Sequence, residues 1–444
     1  MLSSEVLVAL CSSAGALAVP GVAGMLFGTK GVEAGETRTE ALWSAEMSSI
    51  APAPRLEGER KVDLAIIGGG YTGLSCAYYT KKLRPDWSVA VLDSHRLGSG
   101  ASSRNSGAVY ARYWGLRDEE MPKRGFDRFV RFIEEEEIEC DWRPSATIEV
   151  YASRRSAKKA KASLEAGWRW VGTEELHKAA HTDFYAGAAE LPGYYTVHPG
   201  KLVAGHVKAA RCRDVELYEN SPVVHVKKGN PAELVTPGGN VRAGHVLIAT
   251  NAYTPRLGLL KAAMMPVHQY TFATRRLSQE EIRRYGLDRW PLRFERTLLP
   301  VTNFLMPSGH LCIRIVLGYA SFNSCVWQNI EGARELAQRM FEQRYPWITE
   351  VGLELGWQGV TGHTVRVREI SGPVMGENIH VAVAYNGLGI MPGHNTGYLS
   401  ACRITGHPEE DMRYMLGRKT QIPIPGEFYR SMILKPFMKL MTPA

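Results

Sequence analysis

The stretch Val62–Asp93, VDLAIIGGGYTGLSCAYYTKKLRPDWSVAVLD, constrains the fold more than any other part of the chain. A β-branched apolar run, Val62 to Ile67, breaks at Gly68, Gly70 and Gly73 in G-x-G-x-x-G spacing. A second apolar run, Ser88 to Leu92, ends in Asp93. A strand, a tight turn, a helix and a parallel return strand fit this pattern. The first glycine permits the turn, the second leaves no Cβ between the backbone and a bound phosphate, and the third, with Ala77, lets helix and strand pack closely. The start of the helix directs amides and the positive end of its dipole at the same point. Asp93, roughly 20 residues past Gly73, stands where a carboxylate accepts hydrogen bonds from ribose hydroxyls. The unit implies a site for the pyrophosphate and ribose of a dinucleotide. A glycine-rich turn in some other α/β protein would leave the acid at that spacing unexplained.

At 444 residues the chain exceeds what one hydrophobic core usually organises, about 250–300 residues, so two interleaved domains are expected. A composition of 45% hydrophobic and 22% charged residues argues against a disordered chain and against a polytopic membrane protein. The net charge of +8 comes from scattered basic residues such as Arg154, Arg155, Lys158, Lys159 and Lys161, and no nucleic-acid motif accompanies it. Seven cysteines without a C-x-x-C pair point to a reducing compartment rather than to a disulfide framework or a metal site.

Val6–Phe27 carries no charged residue and is long enough to span a bilayer at about 1.5 Å of rise per residue. It is also rich in Ala, Gly and Ser, contains Pro20, and has no Lys or Arg before it. For residues 1–31, a membrane anchor, a cleaved signal and a packed extension all stay open. Because Lys30 follows the run, an anchor would leave the body on the cytoplasmic side. The expected location is therefore cytoplasmic, with or without attachment to that face of the membrane through the N-terminus.

Residues 32–60 read as a linker. Arg96 to Trp114 is a Gly/Ser-rich loop ending in aromatics, and Asp118–Trp142 reads as an amphipathic helix with Phe126, Phe129, Phe132 and Ile133 on one side. Further on, Val246–Ala249 is an apolar strand running into Thr250-Asn251. Segments near Val267–Arg275, Leu298–Met306 and Leu311–Tyr319 read as an antiparallel sheet, and Ser278 and Glu281 have capping-box spacing. Ile379–Ala384 is another apolar strand, followed by the loop YNGLGIMPGHNTG and a helix from Tyr398. The expected fold class is α/β with α+β. A Rossmann-like dinucleotide-binding domain (61–115, 195–262 and 357–444) is interleaved with an antiparallel-sheet substrate domain (116–194 and 263–356).

The ordered set GGGYTGLS at 68–75, GASSRNSG at 100–107, VLIATNAYTP at 246–255 and YNGLGIMPGHNTG at 385–397 resembles the D-amino-acid oxidase-like flavoenzymes. The nearest subgroup is similar to the glycine-oxidase, sarcosine-oxidase and γ-glutamylputrescine-oxidase enzymes. The resemblance implies FAD. Gly68, Gly70 and Gly73, with Tyr71 and Thr72 opening the helix, would hold the pyrophosphate, and Asp93, in place of the more usual glutamate, the adenosine ribose. Ser102, Ser103, Arg104, Asn105 and Gly107 would line the pyrophosphate and isoalloxazine. Val223 would meet the adenine, and Ala249, Thr250 and Asn251 would sit beside the cofactor. Gly387, Leu388, Gly389, Ile390 and Met391 would offer backbone amides to the pyrimidine edge of the flavin.

The departures carry information too. Leu388 stands where many relatives have histidine, and Met391 where sarcosine-type enzymes place a substrate-binding lysine. No cysteine lies near Thr364–Gly372, where sarcosine-type members attach FAD, so non-covalent FAD and a substrate other than sarcosine are expected. The chemistry implied is removal of hydride from the carbon beside an amine nitrogen of a small amine or amino acid, with oxygen or quinone as electron acceptor. The alternatives are a membrane-associated dehydrogenase and a flavin-fold partner without turnover. Arg104, His268, Tyr270 and Arg314 are the substrate-side candidates, each against a structural polar role. Arg112 is a further candidate, unless it stacks on Tyr113 or Trp114. His363 and His394 read as structural.

Overall fold

The computed structural model describes residues 40–44, 50–111, 120–295, 301–319, 330–417, 420–430 and 432. Val6–Phe27, Lys30, Arg112, Tyr113 and Trp114 lie outside the described residues. The chain runs through β1 (Arg60–Ile67), α1 (Tyr71–Leu83), β2 (Val89–Leu92), α2 (Glu120–Glu135) and α3 (Pro199–Arg211). It continues through β3 (Glu216–Tyr218), β4 (Gly239–Ile248), β5 (Met265–Arg276), β6 (His310–Tyr319), α4 (Ile330–Arg344), β7 (Leu355–His363), β8 (Ile379–Val383) and α5 (Met391–Thr405), with shorter elements between.

Along β1, alternate side chains enter two different cores, Leu64 and Ile66 one, Ala65 and Ile67 the other. Burial on both faces is what a parallel strand requires, and explains why the run is apolar without a break. The strands β8, β4, β1, β2 and β3 lie side by side in that order, all parallel. β4 serves two neighbours on one edge: residues 239–243 pair antiparallel with Ala232–Thr236, and Val246–Ile248 pair parallel with β8.

Helix α1 is buried from Tyr71 to Thr80 and has no side-chain N-cap, since Gly70 precedes it. Its last turn is closed by the Arg84 N–H, which donates to the Thr80 carbonyl, and Lys81 Nζ ties the helix end to the following loop through the carbonyls of Pro85 at 2.8 Å and Trp87 at 2.9 Å. α5 packs directly on α1, and a Cβ on Gly397 would stand 2.6 Å from the Thr72 carbonyl oxygen. This helix starts at Met391 rather than Tyr398. Pro392 suits a first helical turn, and Gly397 serves close packing, not loop flexibility. α2 ends at Glu135, short of the expected Trp142. Its acidic C-terminal run opposes the negative end of the helix dipole. Phe129, Phe132 and Ile133 of α2 join the core around α1 and α5, so this part of the expected substrate domain packs with the first layer.

The second sheet has eight strands, with β7, β5 and β6 at one edge followed by Val301–Leu305, Leu292–Glu295, Thr147–Tyr151, Gly187–Leu191 and Arg169–Val171. A boundary at residue 357 puts most of β7 in the nucleotide domain, yet β7 pairs with β5 over its whole length. Tyr270, Phe272, Ile313 and Ile315 pack with α4 on one face of this sheet. The short helix Gln279–Arg284 carries the capping box formed by Ser278 and Glu281. Among the described residues no helix is long and apolar enough to cross a membrane.

Candidate cofactor and substrate site

A cavity of about 480 Å³ lies between the two sheets. One wall is built from the loops that follow β1, β2, β4 and β8, the carboxyl ends of parallel strands, where open α/β sheets hold their ligands. At the end of β1, Gly68 adopts φ +108°, and a Cβ there would stand 2.7 Å from the Ala249 carbonyl oxygen. Gly73 lies behind the wall, and a Cβ on it would collide with the Gly68 carbonyl. The Asp93 carboxylate accepts the Gly69 N–H at 2.8 Å and the His95 N–H at 3.0 Å, which fixes its orientation.

The loop Ala101–Gly107 meets the start of α1 through Ser102, whose Oγ accepts the Tyr71 N–H at 3.1 Å. Asn105 closes the loop on itself. Its Nδ2 donates to the carbonyls of Ala101 at 3.1 Å and Ser102 at 2.7 Å, and its Oδ1 accepts the Gly107 N–H at 2.9 Å. Arg104 bridges the loop to β7, with Nε and Nη1 each 2.9 Å from a main-chain carbonyl, of Ser99 and Gln358 respectively.

Two asparagines in left-handed conformation, Asn251 at φ 43° and Asn386 at φ 55°, tie the loop after β8 to the loop after β4 and to the end of β7. Asn251 Oδ1 accepts the Ala384 N–H at 3.0 Å, and Asn386 Oδ1 accepts the Thr364 N–H at 2.8 Å. Thr72 Oγ1 donates to the Tyr385 hydroxyl at 2.8 Å, tying the same loop to α1. Burial raises the Tyr385 pKa, so it remains a phenol.

The opposite wall comes from the second sheet and includes Gln269, Thr271, Phe294, Arg314 and Thr361. Arg314 Nη2 donates to Thr302 Oγ1 at 3.0 Å, and burial lowers its pKa to about 10. Gln269 Nε2 donates to Thr361 Oγ1 at 2.9 Å, which lies 2.9 Å from His363 Nε2. Burial, with the positive charge of Arg314, lowers the His363 pKa to about 4, so the ring is neutral. Asp93 is the single carboxylate among the described lining residues.

Of the substrate-side candidates, Arg104 and Arg314 line the cavity and His268 and Tyr270 do not. The strand carries the opposite phase: Gln269 and Thr271 face the cavity, and Tyr270 packs with Phe272 in the core against α4. A shift of one residue exchanges the two faces of a strand. Of the cofactor positions expected from the sequence, Gly73, Ser103, Gly107 and Met391 lie outside the lining, and all the others are in it. Gly107 is turned toward Val197, whose carbonyl leaves no room for a Cβ, and Met391 is buried in the helical core. The polar lining residues missed on the second-sheet wall are Gln269, Thr271 and Thr361. The polarity of Gln269 and Thr271, in a strand whose alternate positions are Tyr270 and Phe272, was the available signal.

The family model described as FAD dependent oxidoreductase matches residues 63–403. The chain belongs to this family. It is similar to the γ-glutamylputrescine oxidoreductase of Escherichia coli (strain K12), 25% identical over 404 residues that cover 84% of this chain and 90% of the relative. Among solved structures, the glycine oxidase from Geobacillus kaustophilus superposes with a TM-score of 0.66 at 20% identity, covering 81% of this chain and 99% of that one. The L-amino acid deaminase from Proteus myxofaciens superposes with a TM-score of 0.64 at 15% identity, covering 86% and 97%. At these identities the superpositions show a shared fold. In this member of the FAD dependent oxidoreductase family, the cavity lies between the two eight-stranded sheets.

Proposed function

We propose that the cavity holds FAD without a covalent bond, and that the enzyme oxidises the carbon–nitrogen bond of an amine that also carries a carboxylate, such as an amino acid. Arg314 is the observation behind the substrate reading. It lines the cavity, keeps its charge at neutral pH, and among the described residues has no carboxylate partner. Removing one partner of a buried ion pair costs about 3–5 kcal/mol, so a buried cation favours a ligand that brings the missing anion.

The residues present fit the cofactor. Gly68 and Gly70 bring main chain to the cavity wall where a pyrophosphate would lie, α1 starts beside them, and Asp93 is held rigid where a ribose would lie. Val223 would meet the adenine, and Ala249, Thr250 and Asn251 would lie beside the cofactor. The amides of Gly387 to Ile390, with α5 starting behind them, would favour negative charge at the flavin. Cys76, Cys140, Cys312 and Cys402 are buried outside the lining, which supports a non-covalent bond. When bound, FAD supplies the two-electron oxidation.

The chain's own part is positioning. Arg314 would hold the substrate carboxylate, with Thr271, Gln269 and Thr361 on the same wall. No carboxylate among the described residues of that wall can hold an ammonium, so the substrate amine reacts as the neutral base. Loss of hydride from carbon and of a proton from nitrogen gives an imine, which water hydrolyses.

The test is anaerobic mixing of the purified protein with amino acids, N-methyl amino acids, γ-glutamyl polyamines and carboxylate-free amines. The yellow colour should bleach with carboxylate-bearing amines, and acid precipitation should release all the FAD. Equal bleaching by simple polyamines would refute the carboxylate requirement. Peroxide formation in air separates oxygen from quinone as acceptor.

A further inference from the structure

The loop Ala101–Gly107 is built of small and polar residues that cannot anchor themselves in a core, yet Ala101, Ser102, Arg104, Asn105 and Ser106 line the cavity. Two tryptophans hold it. Trp357 in β7 donates its indole N–H to the Arg104 carbonyl at 3.2 Å, and Trp43, from the arm preceding β1, donates to the Asn105 carbonyl at 2.9 Å. Both rings are buried, 1% and 2% exposed, so these donors have no water to exchange with. The arm itself is wedged in place. The Trp43 ring stands edge-on to His198 at 4.5 Å, His198 Nδ1 accepts the Lys201 N–H at the start of α3, and the Trp43 carbonyl fills the space where Gly200 lacks a Cβ.

From Asn105 the contacts continue to the dinucleotide unit. Its side chain holds the Ser102 carbonyl, and Ser102 Oγ accepts the first amide of α1. Hydrogen bonds therefore run from Trp43 through Asn105 and Ser102 to Tyr71, where a pyrophosphate would meet the helix.

We infer that Trp43 and Trp357 form a clamp that positions the cofactor loop, and that the arm at residues 40–44 is a working part of the FAD site. Trp43 is a positioning residue: it lies outside the lining and acts through Asn105. It also lies before residue 63, where the family match begins. Nothing in the G-x-G-x-x-G unit announces it.

The inference rests on FAD as occupant of the cavity, and the experiment separates the two. Apoprotein of the full chain is titrated with FAD by fluorescence, and its thermal midpoint is measured without FAD. Trp43→Phe keeps a ring and removes the donor. Leu336→Ala, in α4 away from the loop, reports what general destabilisation does to FAD affinity. The Kd for FAD should rise about tenfold in W43F, the scale of one lost hydrogen bond, and less than twofold in L336A. A W43F value no higher than that of L336A overturns the clamp, whatever the midpoint does. If W43F does not fold, Trp357→Phe is judged by the same comparison. Wild-type apoprotein that takes up no FAD would remove the FAD reading itself. Wild-type uptake with unaltered W43F removes only the clamp.

Discussion

His394 Nδ1 lies 3.1 Å from His206 Nε2 in the core shared by α1, α2, α3 and α5. The protons of this pair can be assigned by elimination. His206 Nδ1 is 2.8 Å from the Leu202 carbonyl, so it carries a hydrogen and Nε2 is the acceptor. His394 Nδ1 then donates, and its Nε2 accepts from the Tyr79 hydroxyl at 3.1 Å. Both rings are neutral, and burial lowers both pKa values, that of His206 from 6.5 to about 4.

A histidine depressed in the folded state stabilises the fold above its unfolded pKa and loses that contribution as pH falls through the folded value. Between pH 6.5 and 4 the unfolded chain takes up a proton that folded His206 refuses. The unfolding free energy should fall over this window by about 3 kcal/mol from His206 alone. His206→Gln, which stays neutral, should flatten the profile by a similar amount in urea titrations at pH 7, 5.5 and 4.5. A wild-type profile that is level across the window would contradict the neutral pair.

The parallel core was legible because its signals are local: glycines at fixed offsets, an acid at the end of the second strand, and an apolar run at Val246–Ile248. The phase of β5 was not. Its sequence MPVHQYTFATRR has bulky groups at both parities, and the choice is made by Ile313, Ile315 and α4, far along the chain. The register of β5 against β6 also shifts between His268 and Gln269, so no strict alternation could be extended through it. The start of α5 was hidden for a different reason. Gly393 and Gly397 look like loop residues until Thr72 and Ser75 are seen pressed against them. Trp43 had no signal, because its partner is a main-chain carbonyl.

Asn386 combines a left-handed backbone with two side-chain hydrogen bonds, to the Thr364 N–H at 2.8 Å and the Ala384 carbonyl at 2.8 Å. Glycine would keep the conformation and lose the bonds; alanine would lose both. Asn386→Ala should therefore be less stable than Asn386→Gly by about 1 kcal/mol, the cost of left-handed backbone at a residue with a Cβ. Asn386→Asp, which keeps the acceptor for Thr364, should be the mildest. Denaturant midpoints of the three proteins test the order, and equal values for Gly and Ala would show that the loop relaxes.

Glu295 and Arg344 form a buried pair under the second sheet, with Arg344 Nε and Nη2 at 2.6 and 2.7 Å from the carboxylate and the Tyr185 hydroxyl at 3.1 Å. Their side chains are 1% and 6% exposed, so salt should screen the pair little. Glu295→Ala leaves the guanidinium without its anion and should cost about 3–5 kcal/mol. Replacing both by methionine should recover most of that loss, because the desolvation cost of two ions disappears with them. A double variant as unstable as E295A would mean that the site needs the hydrogen bonds themselves.

Arg314 permits a test of substrate charge that depends on sign. Burial lowers its pKa to about 10, so the guanidinium keeps its charge through the neutral range. If it holds the substrate carboxylate, losing that contact should raise KM for an amino acid while kcat changes less, because the contact is made in ground state and transition state alike. Arg314→Leu should raise KM for carboxylate-bearing amines on the order of 10- to 100-fold, the range of a hydrogen-bonded charge pair. The same variant should leave FAD affinity within about twofold, since Thr302, the described hydrogen-bond partner of Arg314, lies on the neighbouring strand Val301–Leu305 and not in the loops after β1, β2, β4 and β8. Arg314→Lys should recover part of the loss at neutral pH and lose that recovery as pH rises, while the wild type keeps its charge. A lysine starts from a pKa of about 10.4, and the same burial pushes it further down. A Leu variant whose KM for carboxylate-bearing amines is unchanged, or one that fails through lost FAD, would place Arg314 on the cofactor instead of the substrate.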